Sequence, residues 1–170
     1  PYSYSLRKGV SETLALLGCN SSKPDMTSSN KTEQIINLTI REIFDKSSWQ
    51  LWAGLSDFLP LIAEASPREF LDAISDSLKN SPNPFLELFA QEGDGISGCN
   101  YMVGLLWALE TLAWSPTYLA DVTLTLAELA SIDPGGQWAN RPINSLVEIF
   151  MPWHTQTVAN IEQQQTAIAT

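Results

Sequence analysis

Positive charge is almost missing from the second half of this sequence. Residues 80–170 hold a single Lys or Arg, Arg141, against nine Asp and Glu, whereas residues 1–79 hold eight against ten. A phosphate backbone is bound through several Lys or Arg that displace its condensed counterions. No nucleic-acid partner is therefore expected, and an anionic membrane surface is disfavoured on the same ground. Histidine is nearly absent too, the one instance being His154. With no H-E-x-x-H and no Cys/His spacing, nothing assembles a metal site around it. With no Gly-x-Ser-x-Gly elbow, nothing assembles a Ser/His/Asp triad. Cysteine is limited to Cys19 and Cys99, too few for a disulfide-stapled secreted scaffold. Free thiols in a reducing, cytoplasmic setting are the expectation. Sequons at Asn20, Asn30 and Asn37 run against it, but a segment this rich in Asn, Ser and Thr produces them by chance. Long apolar runs are lacking as well. The richest, Tyr101 to Ala113, is cut by Gly104 and Glu110 and is too short to cross a bilayer, so no membrane association is expected.

What remains is a globular composition. The 170 residues are 44% hydrophobic and only 16% charged, which fits one domain spanning 1–170 with a real core. The start at Pro1, with no basic segment leading into an apolar one, reads as a piece of a longer protein.

Helix signals recur throughout and no sustained period-2 alternation competes with them. Leu6, Val10, Leu14 and Leu17 predict a first helix that ends at Gly18. Residues 19–30 carry little that can be buried and read as a mobile loop. Asn30 with Glu33 then has the form of a capping box, and Ser47 with Gln50 repeats it ahead of a helix from Trp49 to Ala65, broken near Pro60. Ser66-Pro67-Arg68-Glu69 is the clearest start signal in the chain. A Pro-rich turn, a short helix at Phe85–Ala90, an apolar central helix at Tyr101–Trp114, and a helix opened by Ser115-Pro116 follow. After the loop 133–142 come a helix over Ile143–Phe150 and, at 155–170, the start of a further one. There Val158, Ile161 and Ile168 fall near one face, which predicts weak docking and an uncovered apolar strip.

The pattern of Ser66-Pro with Phe70-Leu71 returns at Ser115-Pro with Tyr118-Leu119, and Ile40-Arg-Glu-Ile-Phe44 is echoed by Leu146-Val-Glu-Ile-Phe150. Offsets of about 40–50 residues, or twice that, are the mark of stacked helical hairpins. The expected fold is all-α, a HEAT-like α-solenoid of about seven to nine helices.

The loop Glu92-Gly-Asp-Gly-Ile-Ser-Gly98 contains a literal Gly-x-Gly-x-x-Gly. A phosphate cradle needs a strand ahead of it, and here a helix precedes it while Glu92 and Asp94 repel phosphate. It reads as a join between helices, and no cofactor is expected. Trp49, Trp52, Trp107 and Trp114 have core-like helical spacing. Trp138 and Trp153 lie in or beside loops and, with Asn140, Arg141 and His154, form the candidate partner contact. For Arg141 a fold-back onto Asp133 is the favoured reading.

The stretches Leu105-Leu-Trp-Ala-Leu-Glu-Thr-Leu-Ala-Trp-Ser-Pro116 and Asp133-Pro-Gly-Gly-Gln-Trp-Ala-Asn-Arg-Pro-Ile-Asn-Ser-Leu146 resemble the helical C-terminal region of very large bacterial proteins. Leu51-Trp-Ala-Gly-Leu-Ser-Asp-Phe-Leu-Pro60 and Ser66-Pro-Arg-Glu-Phe-Leu71 extend the likeness over roughly residues 45–157. Some of those proteins are grouped with the STAND-type NTPases of antiphage defence, whose NTPase and effector domains precede a helical array that senses a phage protein. None of the NTPase or nuclease motifs occurs here, so the resemblance implies no catalytic role. It implies protein recognition or scaffolding, with a protein or other domains of the same chain as partner. The rival is a fragment of a helical carbohydrate-active enzyme with an acidic, Trp-lined cleft.

Overall fold

A computed structural model describes residues 2–21, 29–91, 99–136, 138–151 and 156–170, with side chains for all of these except 20, 21, 29 and 30. Among the described residues there is no strand. The helices are α1 (Tyr4–Ser21), α2 (Ser29–Phe44), α3 (Trp49–Leu55), α4 (Leu59–Ala65), α5 (Pro67–Lys79), α6 (Pro84–Ala90), α7 (Met102–Ala113), α8 (Leu119–Ile132), α9 (Pro142–Ile149) and α10 (Ile161–Ala169). The fold is all-α. A 3-10 turn at Ser56–Phe58 separates α3 from α4; taking these two as halves of one interrupted helix gives nine helices among the described residues. The interruption comes just before Pro60, which then sits in the first turn of α4, where its missing N–H leaves no bond unmade.

Packing sorts the helices into two ranks. In one, α1 lies against α4, α4 against α7, and α7 against α9. In the other, α2 lies against α5, α5 against α8, and α8 against α10. Consecutive members join across the ranks: α1 with α2, α4 with α5, α7 with α8. Between the ranks sits an apolar core that includes Ile36, Ile40, Leu59, Ile62, Phe70, Ile74, Leu105, Leu109, Val122 and Leu126. The two Ser-Pro segments do open onto equivalent helices, α5 and α8 of the same rank, although α8 begins only at Leu119. The other echo fails, because Ile40–Phe44 lies in α2 of one rank and Leu146–Ile149 in α9 of the other.

Gly18 does not end α1. The helix runs through Cys19 to Ser21, and α2 already begins at Ser29, so the loop expected at 19–30 is helical at both ends; its residues 22–28 lie outside the described ones. A Cβ at Gly18 would overlap the Ala65 backbone, which makes this glycine a point of close helix approach rather than a terminator. The buried side of α1 is correspondingly Arg7, Ser11, Leu14, Ala15 and Gly18, while Leu6, Val10 and Leu17 face outward. α2, by contrast, ends without glycine, Lys46 taking the left-handed conformation with φ 52°.

The expected caps are redirected. Ser66 occupies the N-cap position of α5 but makes no capping bond. Its hydroxyl donates to Asn37 Oδ1 at 2.7 Å, and Glu69 accepts from Arg41 Nη2 at 2.7 Å. Both side chains that could have closed a capping box thus tie α5 to α2 instead. Ser47 likewise bonds Trp52 Nε1 and Ser77 Oγ, each at 3.0 Å, leaving Ser48 as N-cap without a side-chain bond. Asn30 lies inside α2, one residue past its start, and so is not its cap.

Gly104 carries the tightest approach. A Cβ there would overlap the Ser56 carbonyl, where α7 crosses the 3-10 turn. Gly104→Ala is expected to destabilise by about 1–3 kcal/mol through forced backbone separation. Gly9→Ala, in a part of α1 where an added Cβ meets nothing, should stabilise by about 0.5–1 kcal/mol through helix entropy. Urea denaturation of the two variants checks both signs.

Candidate functional site

Of the residues in the candidate contact around the loop 133–142, Trp138, Asn140 and Arg141 are among the described ones. Trp153 and His154 lie outside the described residues. Asn140 is exposed and Trp138 half-buried. Arg141 is buried, its Nη1 donating to Asp133 Oδ1 at 2.7 Å, and that oxygen also accepts from the Gly135 amide at 2.8 Å. Asn144 Nδ2 pins the same loop through the Ala139 carbonyl at 2.7 Å. The fold-back reading of Arg141 is the observed one. Its guanidinium clamps the loop to the start of α9 and is not presented to a partner.

An outward aromatic face lies instead on α7. Apolar on nearly every side, this helix is covered by α4, α8 and α9, which leaves one strip open. Val103, Trp107, Glu110 and Thr111 follow one another at helical spacing along it, and Trp114, the helix's C-cap residue, continues the line. Trp107 is 58% and Trp114 54% exposed, which corrects the expectation that both belong to the core; Trp52 is fully buried and Trp49 half-buried. A helix that is apolar all round has no phase of its own. Its neighbours decide which side stays wet. The end of the strip is fixed by the chain that returns over it, the Trp114 carbonyl accepting from the Val158 amide at 3.1 Å.

Glu110 sits between the two indoles. Burial pushes its carboxyl pKa up, a hydrogen bond with buried Ser145 works the other way, and the neighbouring charge of Glu148 pushes it up further. Ser145 and Glu148 both belong to α9, so the acidic pair bridges the two helices. No Lys, Arg or His occurs within α4, α7 or α9. Among the described residues Glu110 and Glu148 have no ion-pair partner, whereas Arg41 is held by Glu69 and Arg141 by Asp133. Because the folded pKa of Glu110 is raised, the native state binds this proton more tightly than the unfolded chain does. Its contribution to stability is fully present below the ordinary carboxylate range and lost as pH rises through the elevated folded value. Glu110→Gln should therefore equal or exceed the parent in melting temperature at pH 7, with the gap closing towards pH 4.5. Thermal melts across that window test it.

An open groove of about 1180 Å³ runs between the end of α2, α3 and α5, with Trp49 and the carboxylates Asp45, Asp72 and Asp76 along it. Glu69 on its wall is engaged by Arg41, and Asp76 pairs with Lys79 at 3.4 Å. Among the described residues no group of His, Cys, Asp and Glu is arranged to hold a metal ion. Cys19 and Cys99 are free thiols. Burial, and then a contact with Glu64 at 3.4 Å, pushes the Cys19 thiol pKa up, away from a reactive thiolate. No described helix is long and apolar enough to cross a membrane. The glycine loop 92–98 lies outside the described residues.

Family models, curated proteins and solved structures give no match to this chain.

Proposed function

We infer that this chain is a non-catalytic helical-repeat module, a HEAT-like α-solenoid of stacked hairpins, for protein recognition or scaffolding within a larger bacterial cytoplasmic protein. The reading is carried by one observation: a central helix, packed on three sides, turns two exposed tryptophans outward. Indole side chains supply large contact area at low entropic cost and dominate the hot spots of protein interfaces. The two-rank order supports it further, since each helix pair presents its surface to the next as repeat arrays do. The likeness of residues 45–157 to the sensor arrays of antiphage proteins supports a phage protein as the partner.

The hydrolase reading needs two free carboxylates facing each other across exposed tryptophan. In the groove Glu69 and Asp76 are engaged by cations, and its one tryptophan, Trp49, is half-buried, so the exposed aromatic wall which that reading needs is not among the lining residues. The test is selection of a display library of bacterial and phage genome fragments on the immobilised chain, alongside incubation of the same chain with polysaccharides. Saturable polypeptide binders without sugar release are expected. Polysaccharide cleavage that disappears in Asp72→Asn, or a library that returns no saturable binder, would overturn the reading.

A further inference from the structure

The face on α7 also specifies what kind of polypeptide it takes, an inference that rests on the recognition reading above. Trp107 and Trp114 are seven residues apart, so their Cα atoms lie roughly 10 Å apart along the helix axis at 1.5 Å per residue. Glu110 lies between them and Glu148 beside it on α9. The strip is thus apolar and aromatic with anionic centres, and none of α4, α7 and α9 brings a cation to it. Arg7, on α1, donates to the Gly54 carbonyl and lies 5.7 Å from the Phe58 ring centroid, and Arg141, at the start of α9, is buried on Asp133. A half-buried carboxylate with no cation partner among the described residues is stabilised by one arriving from outside, most strongly by a guanidinium that pairs with the carboxylate and stacks on an indole.

We propose that the outer face of α7, with Trp107, Glu110, Trp114 and Glu148, is the docking site for an arginine-bearing apolar segment of a partner protein. Charge complementarity selects this occupant over the others. An anionic bilayer or a nucleic acid meets only like charge here. A second copy of the chain offers exposed Arg68 on α5, but in a helix that also carries Glu69, Asp72 and Asp76 and so brings like charge with it. The footprint suits a short helix whose apolar side chains at i and i+7 meet the two indoles while an arginine between them reaches the acids.

The probe is a random dodecapeptide phage library selected on the immobilised chain. One enriched peptide is then titrated against the parent and three variants. A consensus combining Arg with apolar residues is expected. Trp107→Ser, at an exposed position that leaves the melting temperature unchanged, should weaken the peptide about thirtyfold, the size of a hot-spot loss. Glu148→Lys should weaken it several-fold at low salt and less at high salt. Glu110→Gln should do so at both, its charge being half-buried. Peptides that bind equally well to all three variants would overturn this site while leaving a recognition module that uses another face. An acidic consensus would overturn the charge assignment. Sedimentation showing a dimer that Trp107→Ser dissolves would assign the face to a second copy instead. No enriched peptide at all, together with no genome-fragment binder, would overturn both readings.

Discussion

Trp52→Ala is expected to remove about 3–5 kcal/mol of stability, a large part of the 5–15 kcal/mol typical of a whole domain. Trp52 is fully buried and has three aromatic neighbours, with ring centroids at 4.5 Å from Phe44, 5.1 Å from Phe85 and 6.2 Å from Phe70. Those rings come from α2, α6 and α5, so one side chain joins three helices to α3. Truncation leaves a cavity that the surrounding helices cannot all close upon. It also takes away the indole N–H that donates to Ser47 Oγ, a hydroxyl already paired with Ser77. Trp52→Phe separates the two effects: it keeps most of the packing and loses the donor, and should cost about 1–2 kcal/mol. Urea titration of both variants decides the matter. A loss below about 1 kcal/mol for the alanine variant would mean that the aromatic cluster is not the hub of this end of the core.

Trp52 was legible in the sequence as a core residue, but Trp107 and Trp114 were misread, and the difference is physical. The helix expected over Trp49–Ala65 carries Gln50, Asp57 and Glu64 at seven-residue spacing, a polar side opposite Trp52, so its periodicity has a phase. α7 has almost no polar side, and its helical period fits the core in any rotation. Only the positions of α4, α8 and α9 determine that the strip through Val103, Trp107, Glu110 and Trp114 is left open. Glu110 was the one available signal, a lone acid in an apolar helix that marks the side reaching water.

A similar competition explains the caps. Pro67, Pro84 and Pro142 begin α5, α6 and α9, because a missing N–H and a fixed φ act locally. Ser66 and Glu69 also had local partners, yet Asn37 and Arg41 on α2 took them. Sequence reading weighs neighbours along the chain, and a tertiary partner is invisible to it. Gly18 shows the same limit. Its local meaning is a helix end, and its actual use is to let α1 touch the backbone of Ala65. Arg141 went the other way, for a simple reason: in a half-chain with one cation, an acid close in sequence is its readiest partner.

That pair gives the second large effect. Arg141→Met is expected to destabilise by about 3–5 kcal/mol, because it strands the Asp133 carboxylate where only 9% of its side chain meets solvent. Asp133→Asn should cost a similar amount by stranding the guanidinium, whose side chain is 6% exposed, even though the amide oxygen still accepts from Gly135. Replacing both removes two buried charges at once and should recover more than half of the summed loss, since a buried ion pair gives back little more than the desolvation it incurs. The consequence extends to recognition. Arg141 fixes the N-terminus of α9, and α9 holds Ser145 and Glu148 against Glu110. The single variants should therefore weaken the arginine-bearing peptide as well as the fold, and the double variant should restore both together. If the two losses are simply additive, the pair is not coupled and the loop 133–141 is held by its other contacts. If stability returns in the double variant but peptide binding does not, α9 is positioned from elsewhere and the acidic bridge between α7 and α9 is independent of the clamp.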